Sequence, residues 1–180
     1  MKRLIELLDQ PAHTPGLVVV LTPSGAGVAE LLAGLLQAGD FSLVAGCEWR
    51  LPAYDVAKFL HWDFADLDEL FDVNRLARAP SCFQLVDILQ RVGTVPHPLY
   101  ITDFLFTFTD IDLRKDVRWW QLQRCIKRLK FLSQFRRATV IVRDGEGVDF
   151  GSFFPDLEHV ANEILRVEPE GMQAVQPSLM

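Results

Sequence analysis

The chain has 180 residues, 49% of them hydrophobic and 23% charged, with 18 Lys and Arg against 24 Asp and Glu for a net charge of −6. That length fits one domain able to bury roughly 70% of its unfolded surface, and the apolar content excludes a disordered chain, which carries far less. The acidic balance argues against nonspecific nucleic-acid binding by the whole surface, and no apolar run reaches the roughly 18 to 20 residues that span a bilayer.

Met1 to Asp9 begins like an export signal, but Glu6 and Asp9 intervene before an apolar stretch develops, which argues for a cytoplasmic protein. Residues 1–15 are expected to form a short helical segment, residues 16–170 an α/β domain, and residues 171–180 a flexible tail. Gly16 to Thr22 is an uninterrupted β-branched run between Pro15 and Pro23, as expected of a central strand buried on both faces. Gly25 and Gly27 lead into Val28 to Gln37, whose leucines recur at helical spacing and stop at Gly39. Phe41 to Cys47 reads as a second strand, followed after Pro52 by a helical pattern through Val56, Phe59 and Leu60, and then by an acidic surface stretch, Asp63 to Asp72. A third strand is expected near Val73 to Ala79, with Ser81 capping a helix from Phe83 to Val92. Leu99 to Asp103 is the fourth strand, Val117 to Phe135 the longest helix, Ala138 to Val142 the fifth strand, and Glu163 to Val167 a final strand that closes the sheet. Strands alternating with helices over short links predict an α/β fold, a mostly parallel sheet flanked by helices.

Cys47, Cys82 and Cys125 are odd in number, widely spaced and set in apolar patterns, which suits reduced core thiols. His13, His61, His97 and His159 share no ligand spacing with one another or with the cysteines, so no metal site is expected. No nucleophile elbow, His-Glu-x-x-His or Cys-x-x-Cys pattern occurs, which removes the hydrolase, zincin and thioredoxin readings.

A glycine-rich turn between a central strand and a helix can cradle phosphate, because backbone N–H groups and the positive helix end converge there. Here that turn is Thr22-Pro23-Ser24-Gly25-Ala26-Gly27-Val28-Ala29. A nucleotide hydrolase needs G-x-x-x-x-G-K-[ST], in which Lys neutralises the terminal phosphates and the hydroxyl holds magnesium. With Gly27 on the second glycine, Thr22 falls on the first, Val28 on the lysine and Ala29 on the Ser/Thr. The loop thus lacks both the phosphate charge and the metal ligand. A plain tight turn is the alternative.

Downstream, Asp72-Val-Asn-Arg-Leu-Ala-Arg-Ala-Pro-Ser-Cys-Phe-Gln-Leu-Val-Asp-Ile-Leu89 resembles the strand, Arg-Ala link and Gln-Leu helix of RecA-like recombinases and KaiC-like ATPases. Pro98 to Asp103 resembles that family's Walker B strand, which ends in an aspartate orienting magnesium, and a long helix and the strand Thr139 to Asp144 follow in the family's order. The resemblance runs from about residue 16 to 168 and is closest to small recombinase paralogues. It implies a RecA-like P-loop fold, places Asp103 as a relic metal ligand, and puts Glu48 roughly where the family carries its catalytic glutamate. Each has an ordinary alternative, Asp103 as the cap of the next turn and Glu48 as an exposed carboxylate.

The third feature is charge asymmetry. Arg114, Lys115, Arg118, Arg124, Lys127, Arg128, Lys130, Arg136 and Arg137 are nine of the 18 basic residues, in one segment with a single acid, Asp116. On a helical wheel Leu122, Cys125, Ile126, Leu129 and Leu132 form a core stripe, while Trp120, Arg124, Lys127, Arg128, Phe131 and Phe135 lie opposite. Cations interleaved with large aromatics suit a protein partner or single-stranded DNA, with a solvated basic face as the alternative. Arg124, Lys127 and Arg128 are expected to be dispensable for folding.

These features, taken with the resemblance, imply a pseudo-ATPase: a RecA-like paralogue that hydrolyses nothing and serves as a binding or structural subunit of a DNA recombination or repair assembly, its partner a protein such as another RecA-like subunit, or single-stranded DNA. No cofactor and no membrane is expected. Two alternatives stand beside it, a protein that binds or hydrolyses ATP with magnesium through an atypical loop, and a KaiC-like regulatory module without DNA.

Overall fold

The computed structural model describes residues 14–22, 41–46, 75–143, 150–168 and 171–175. Among these, one sheet comprises β1 (Gly16–Thr22), β2 (Ser42–Ala45), β3 (Arg75–Arg78), β4 (Leu99–Ile101), β5 (Arg137–Arg143), β6 (Glu163–Glu168) and β7 (Gly171–Val175). Their order across it is β3-β2-β4-β5-β1-β6-β7. Every pairing from β3 across to β6 is parallel, and β7 adds to β6 in antiparallel sense. The helices are α1 (Cys82–Arg91), α2 (Lys115–Leu132) and α3 (Phe150–Val160), with a 3₁₀ turn at Leu105–Phe108. The fold is therefore α/β with a mostly parallel sheet flanked by helices, and none of the described helices is long and apolar enough to cross a membrane.

The β-branched run of β1 sits between β5 and β6, and Leu17, Val18, Val19, Val20 and Leu21 are all buried, so both faces of the strand are covered. That is the reason its sequence is continuously apolar instead of alternating. The odd positions Leu17, Val19 and Leu21 share one core with Leu85 and Leu89 of α1, Leu122, Cys125 and Leu129 of α2, and Phe153 and Leu157 of α3. α2 lies between α1 and α3 and packs against both. Ser81 caps α1 as its sequence predicts: the Gln84 amide donates to the Ser81 hydroxyl oxygen at 3.4 Å, and that hydroxyl donates to Gln84 Oε1 at 3.2 Å. This is the reciprocal bonding of a capping box with glutamine as its third residue.

Three elements differ from the sequence expectation. β6 does not close the sheet, because β7 pairs along its outer side, and β7 occupies residues expected to be a loose tail. α3 forms where no helix is predicted: Gly151 and Pro155 look like breakers, but Phe150, Phe153, Phe154 and Leu157 fall at helical spacing and bury Phe153 and Leu157. The run Phe104 to Phe108 has no predicted element, yet it folds back under the helices, burying Phe104, Leu105 and Phe108, with the Phe104 and Phe108 rings edge to face at 5.4 Å. The expected helices at Val28 to Gln37 and beyond Pro52, the acidic stretch, Cys47, Glu48, most of the N-terminal segment and residues 176–180 lie outside the described residues.

Candidate functional site

The carboxyl ends of β1, β4 and β5 lie side by side along one edge of the sheet. From β1 the chain passes to β2 on one side of the sheet, whereas from its neighbour β5 it passes to β6 on the other. Opposed connections leaving adjacent parallel strands mark a topological switch point, the usual ligand position of open α/β sheets. Of the loop expected to bind phosphate, Thr22 is described: it is buried as the last residue of β1, paired in register with Arg143, and its hydroxyl donates to the Val142 carbonyl at 3.4 Å. Pro23, Ser24, Gly25, Gly27, Val28 and Ala29 lie outside the described residues, as does Glu48.

Asp103 stands at this edge, two residues beyond β4, with a left-handed backbone at φ 50. Aspartate tolerates that conformation better than most side chains. The turn is fastened on both sides, since the Phe104 amide donates to the Ile141 carbonyl of β5 at 3.3 Å and the Thr107 amide and hydroxyl both donate to the Asp103 carbonyl at 3.1 Å. Gly46, just after β2, presses against the same turn. A Cβ on Gly46 would lie 2.7 Å from Asp103 Cβ and 2.8 Å from the Thr102 carbonyl oxygen, so the position admits no side chain.

The Asp103 carboxylate faces Arg143. Arg143 Nε donates to Asp103 Oδ1 at 2.8 Å, with the two side chains 23% and 11% exposed, and the guanidinium lies 4.8 Å from the centre of the Phe106 ring. Of the two roles open to Asp103 in the sequence, local capping falls to its backbone carbonyl, while the carboxylate is an ion-pair partner. A magnesium ion requires oxygen ligands in a near-octahedral shell. A carboxylate whose charge is already balanced by a guanidinium attracts a divalent cation less, and the guanidinium itself repels that cation. The pairing with Arg143 therefore makes Asp103 a poorer magnesium ligand than an unpaired carboxylate. Arg143 went unnoticed in the sequence because it follows directly on the apolar run Ala138 to Val142, and its pairing with a residue 40 positions earlier leaves no local signal.

No family model and no curated protein matches the chain.

The basic residues from Arg114 to Arg137, on α2 and just beyond its ends, fall into two groups. Arg118, Arg136 and Arg137 are buried. Arg118 Nη1 donates to the Phe108 carbonyl at 3.1 Å and its guanidinium lies 5.8 Å from the Phe153 ring centre, while Arg137 pairs with Glu163 at 3.8 Å. Arg128 is a positioning residue. Its Nε donates to the Leu89 carbonyl at 3.0 Å and its Nη2 to the Val92 carbonyl at 2.7 Å, satisfying the orphan carbonyls at the C-terminal end of α1 where a cation also complements the helix dipole. Its guanidinium lies 5.0 Å from the Phe131 ring centre and holds that ring in place. The expectation that Arg128 is dispensable for folding is thereby corrected, because a carboxylate there would face the carbonyls that the guanidinium now serves.

The other group points outward. Trp120 is 64% exposed, Phe131 42% and Phe135 48%, and Arg124 and Lys127 are exposed between them. Trp120, Arg124, Lys127 and Phe131 succeed one another at intervals of four, three and four, so they form one stripe down the helix opposite Leu122, Cys125, Ile126 and Leu129. Trp119, one position round, is tied down instead: its indole N–H donates to Asp156 Oδ2 of α3 at 2.9 Å, beside Gln123 Nε2 at 2.8 Å on the same oxygen. The Trp119 and Trp120 rings meet edge to face at 6.1 Å, so the anchored indole supports the exposed one. Sequence reasoning missed Trp119 and Asp156, whose pairing depends on the unpredicted α3.

The described thiols, Cys82 and Cys125, are free and buried, and burial pushes both above the ordinary thiol value. They behave as core residues.

Proposed function

We propose that the chain is a RecA-like pseudo-ATPase, a cytoplasmic subunit that acts by binding within a recombination or repair assembly. The observation that carries this reading is the Asp103–Arg143 pair at the end of β4 and β5. In the resembling family the corresponding aspartate orients magnesium; here a guanidinium holds that carboxylate, and the loop after β1 offers Val28 and Ala29 where lysine and a hydroxyl are needed. Two places thus depart from what phosphoryl transfer needs, the loop in its residues and the end of β4 in the pairing of its aspartate. The parallel sheet with its switch point at the end of β1 supports the same reading, since ligands of open α/β sheets bind at such a point.

The test restores the missing groups. Wild-type protein is expected to show no Mg-ATP binding at micromolar protein and nucleotide. Val28→Lys with Ala29→Thr is expected to gain at least about tenfold in affinity, about 1.4 kcal/mol, and addition of Arg143→Gln is expected to make that binding magnesium-dependent. Isothermal titration with ATP, with and without magnesium, reads all three. Tight Mg-ATP binding by the wild type, or no gain in the double variant, counts against the reading.

A further inference from the structure

We infer that the outer stripe of α2 docks an acidic amphipathic helix of a partner protein. The inference rests on the preceding reading, that the chain acts by binding, and adds the chemistry of what it binds. The stripe has a defined length: Trp120 and Phe131 are eleven residues apart, about 16 Å at roughly 1.5 Å per residue. Its apolar ends are held by the fold. Trp120 rests against the anchored Trp119, and Phe131 lies against Arg128 on one side and against Phe135 at 5.3 Å on the other. Side chains already held in place lose less entropy on binding, and tryptophan is among the residues most often dominant in interfaces.

Charge decides the occupant. Between the aromatic ends lie Arg124 and Lys127. Arg124 bonds to the neutral Gln121 amide oxygen at 3.1 Å, and among the described residues Lys127 forms no ion pair. The one acid of the segment, Asp116, is held by Arg114 at 2.7 Å, so it does not neutralise them. A cationic stripe on a chain of net charge −6 attracts an acidic partner to that face while the rest of the surface repels it. The matching segment is a helix of at least three turns, with bulky apolar residues about eleven apart and Asp or Glu between them.

Nucleic acid fits the stripe less well. Arg118, Arg136 and Arg137 are buried, Arg128 caps α1, Arg114 pairs with Asp116 and Lys115 is bonded to Ser152 of α3 at 3.0 Å, which among the described residues leaves Arg124, Lys127 and Lys130 as the outward cations without an acidic partner. A nucleic-acid surface of ordinary affinity neutralises roughly 6 to 10 phosphates. The aromatic pairs at the two ends also stand about three helical turns apart, so they do not form one continuous platform for successive bases.

The experiment selects a phage-displayed library of 18-residue helical peptides against the full-length protein, with Trp120→Ala protein as the counter-selection. The strongest synthetic peptide is then measured by fluorescence anisotropy, with labelled thirty-residue oligo-dT in parallel. Selected peptides are expected to carry excess Asp and Glu with two spaced apolar anchors. Affinity is expected to fall about 30-fold with Trp120→Ala, about 2 kcal/mol, and at least about fivefold with Arg124→Glu and Lys127→Glu, while circular dichroism stays unchanged. Basic or chargeless winners, no Trp120-dependent winners, or a peptide indifferent to Trp120→Ala would overturn the inference. So would oligo-dT binding that the charge reversals abolish, which would assign the face to nucleic acid. ATP turnover indifferent to Trp120→Ala would overturn the pseudo-ATPase reading alone and leave the docking surface standing.

Discussion

Arg136→Ala is expected to remove about 4 kcal/mol of stability, a large share of the roughly 5 to 15 kcal/mol that holds a domain of this kind. Arg136 is 1% exposed. Its Nη1 donates to the Gly93 carbonyl at 3.2 Å and its Nη2 to the Pro98 carbonyl at 2.9 Å, so one guanidinium fastens both ends of the link from α1 to β4. Each bond has a charged donor, worth about 1.5 to 3 kcal/mol, and truncation also leaves a void where the side chain lay. Arg136→Lys retains the charge but not the fork that reaches two carbonyls at once, and it is expected to lose about half as much. Urea unfolding followed by tryptophan fluorescence measures both. A loss below about 1 kcal/mol in the alanine variant would mean that the link is held by other contacts.

Gly46→Ala is expected to cost about 3 kcal/mol, the upper part of the usual range for forcing atoms into a filled site. The new Cβ would meet backbone on two sides, with the Thr102 carbonyl oxygen at 2.8 Å and the Asp103 carbonyl oxygen at 2.9 Å, and neither can rotate away as a side chain could. Relief requires β2 and the Asp103 turn to separate, which stretches the Gly46 amide bond to the Thr102 carbonyl, now 3.1 Å. In thermal melts the midpoint is expected to fall by about 6 to 12 °C, given roughly 2 to 4 °C per kcal/mol for a chain of this size. An unchanged midpoint would show that the turn is loose, and would remove the reason for treating Asp103 and Arg143 as a fixed pair.

Most of the sheet was readable in the sequence because its signal is local. A run such as Gly16 to Thr22 is apolar at every position, which occurs where both strand faces are covered, and Ser81 with Gln84 announces a helix start through bonds within four residues. The core stripe of α2 was readable for the same reason, from the spacing of Leu122, Cys125, Ile126, Leu129 and Leu132. What stayed hidden depends on contacts distant in sequence. Nothing around Arg128 marks it as the partner of carbonyls 36 to 39 residues earlier, and nothing around Arg143 marks it as the partner of an aspartate 40 residues away. A count of charges assigned both arginines to surface or strand, because composition does not tell a solvated cation from one that satisfies buried backbone. α3 was concealed differently. Gly151 and Pro155 weaken its helical pattern locally, and burial of Phe153 and Leu157 against β1 and α2 outweighs that weakness.

The α2 stripe and the sheet edge carry separate functional statements, and the edge is the more fundamental, since it decides whether the chain works by turnover or by binding. The measurement that bears on it most directly is steady-state release of phosphate from ATP by purified protein in magnesium, compared with Asp103→Ala. A guanidinium-held carboxylate, with Val28 and Ala29 in the loop, predicts a wild-type rate indistinguishable from that of the variant and from buffer. Magnesium-dependent release by the wild type that disappears in Asp103→Ala would contradict it.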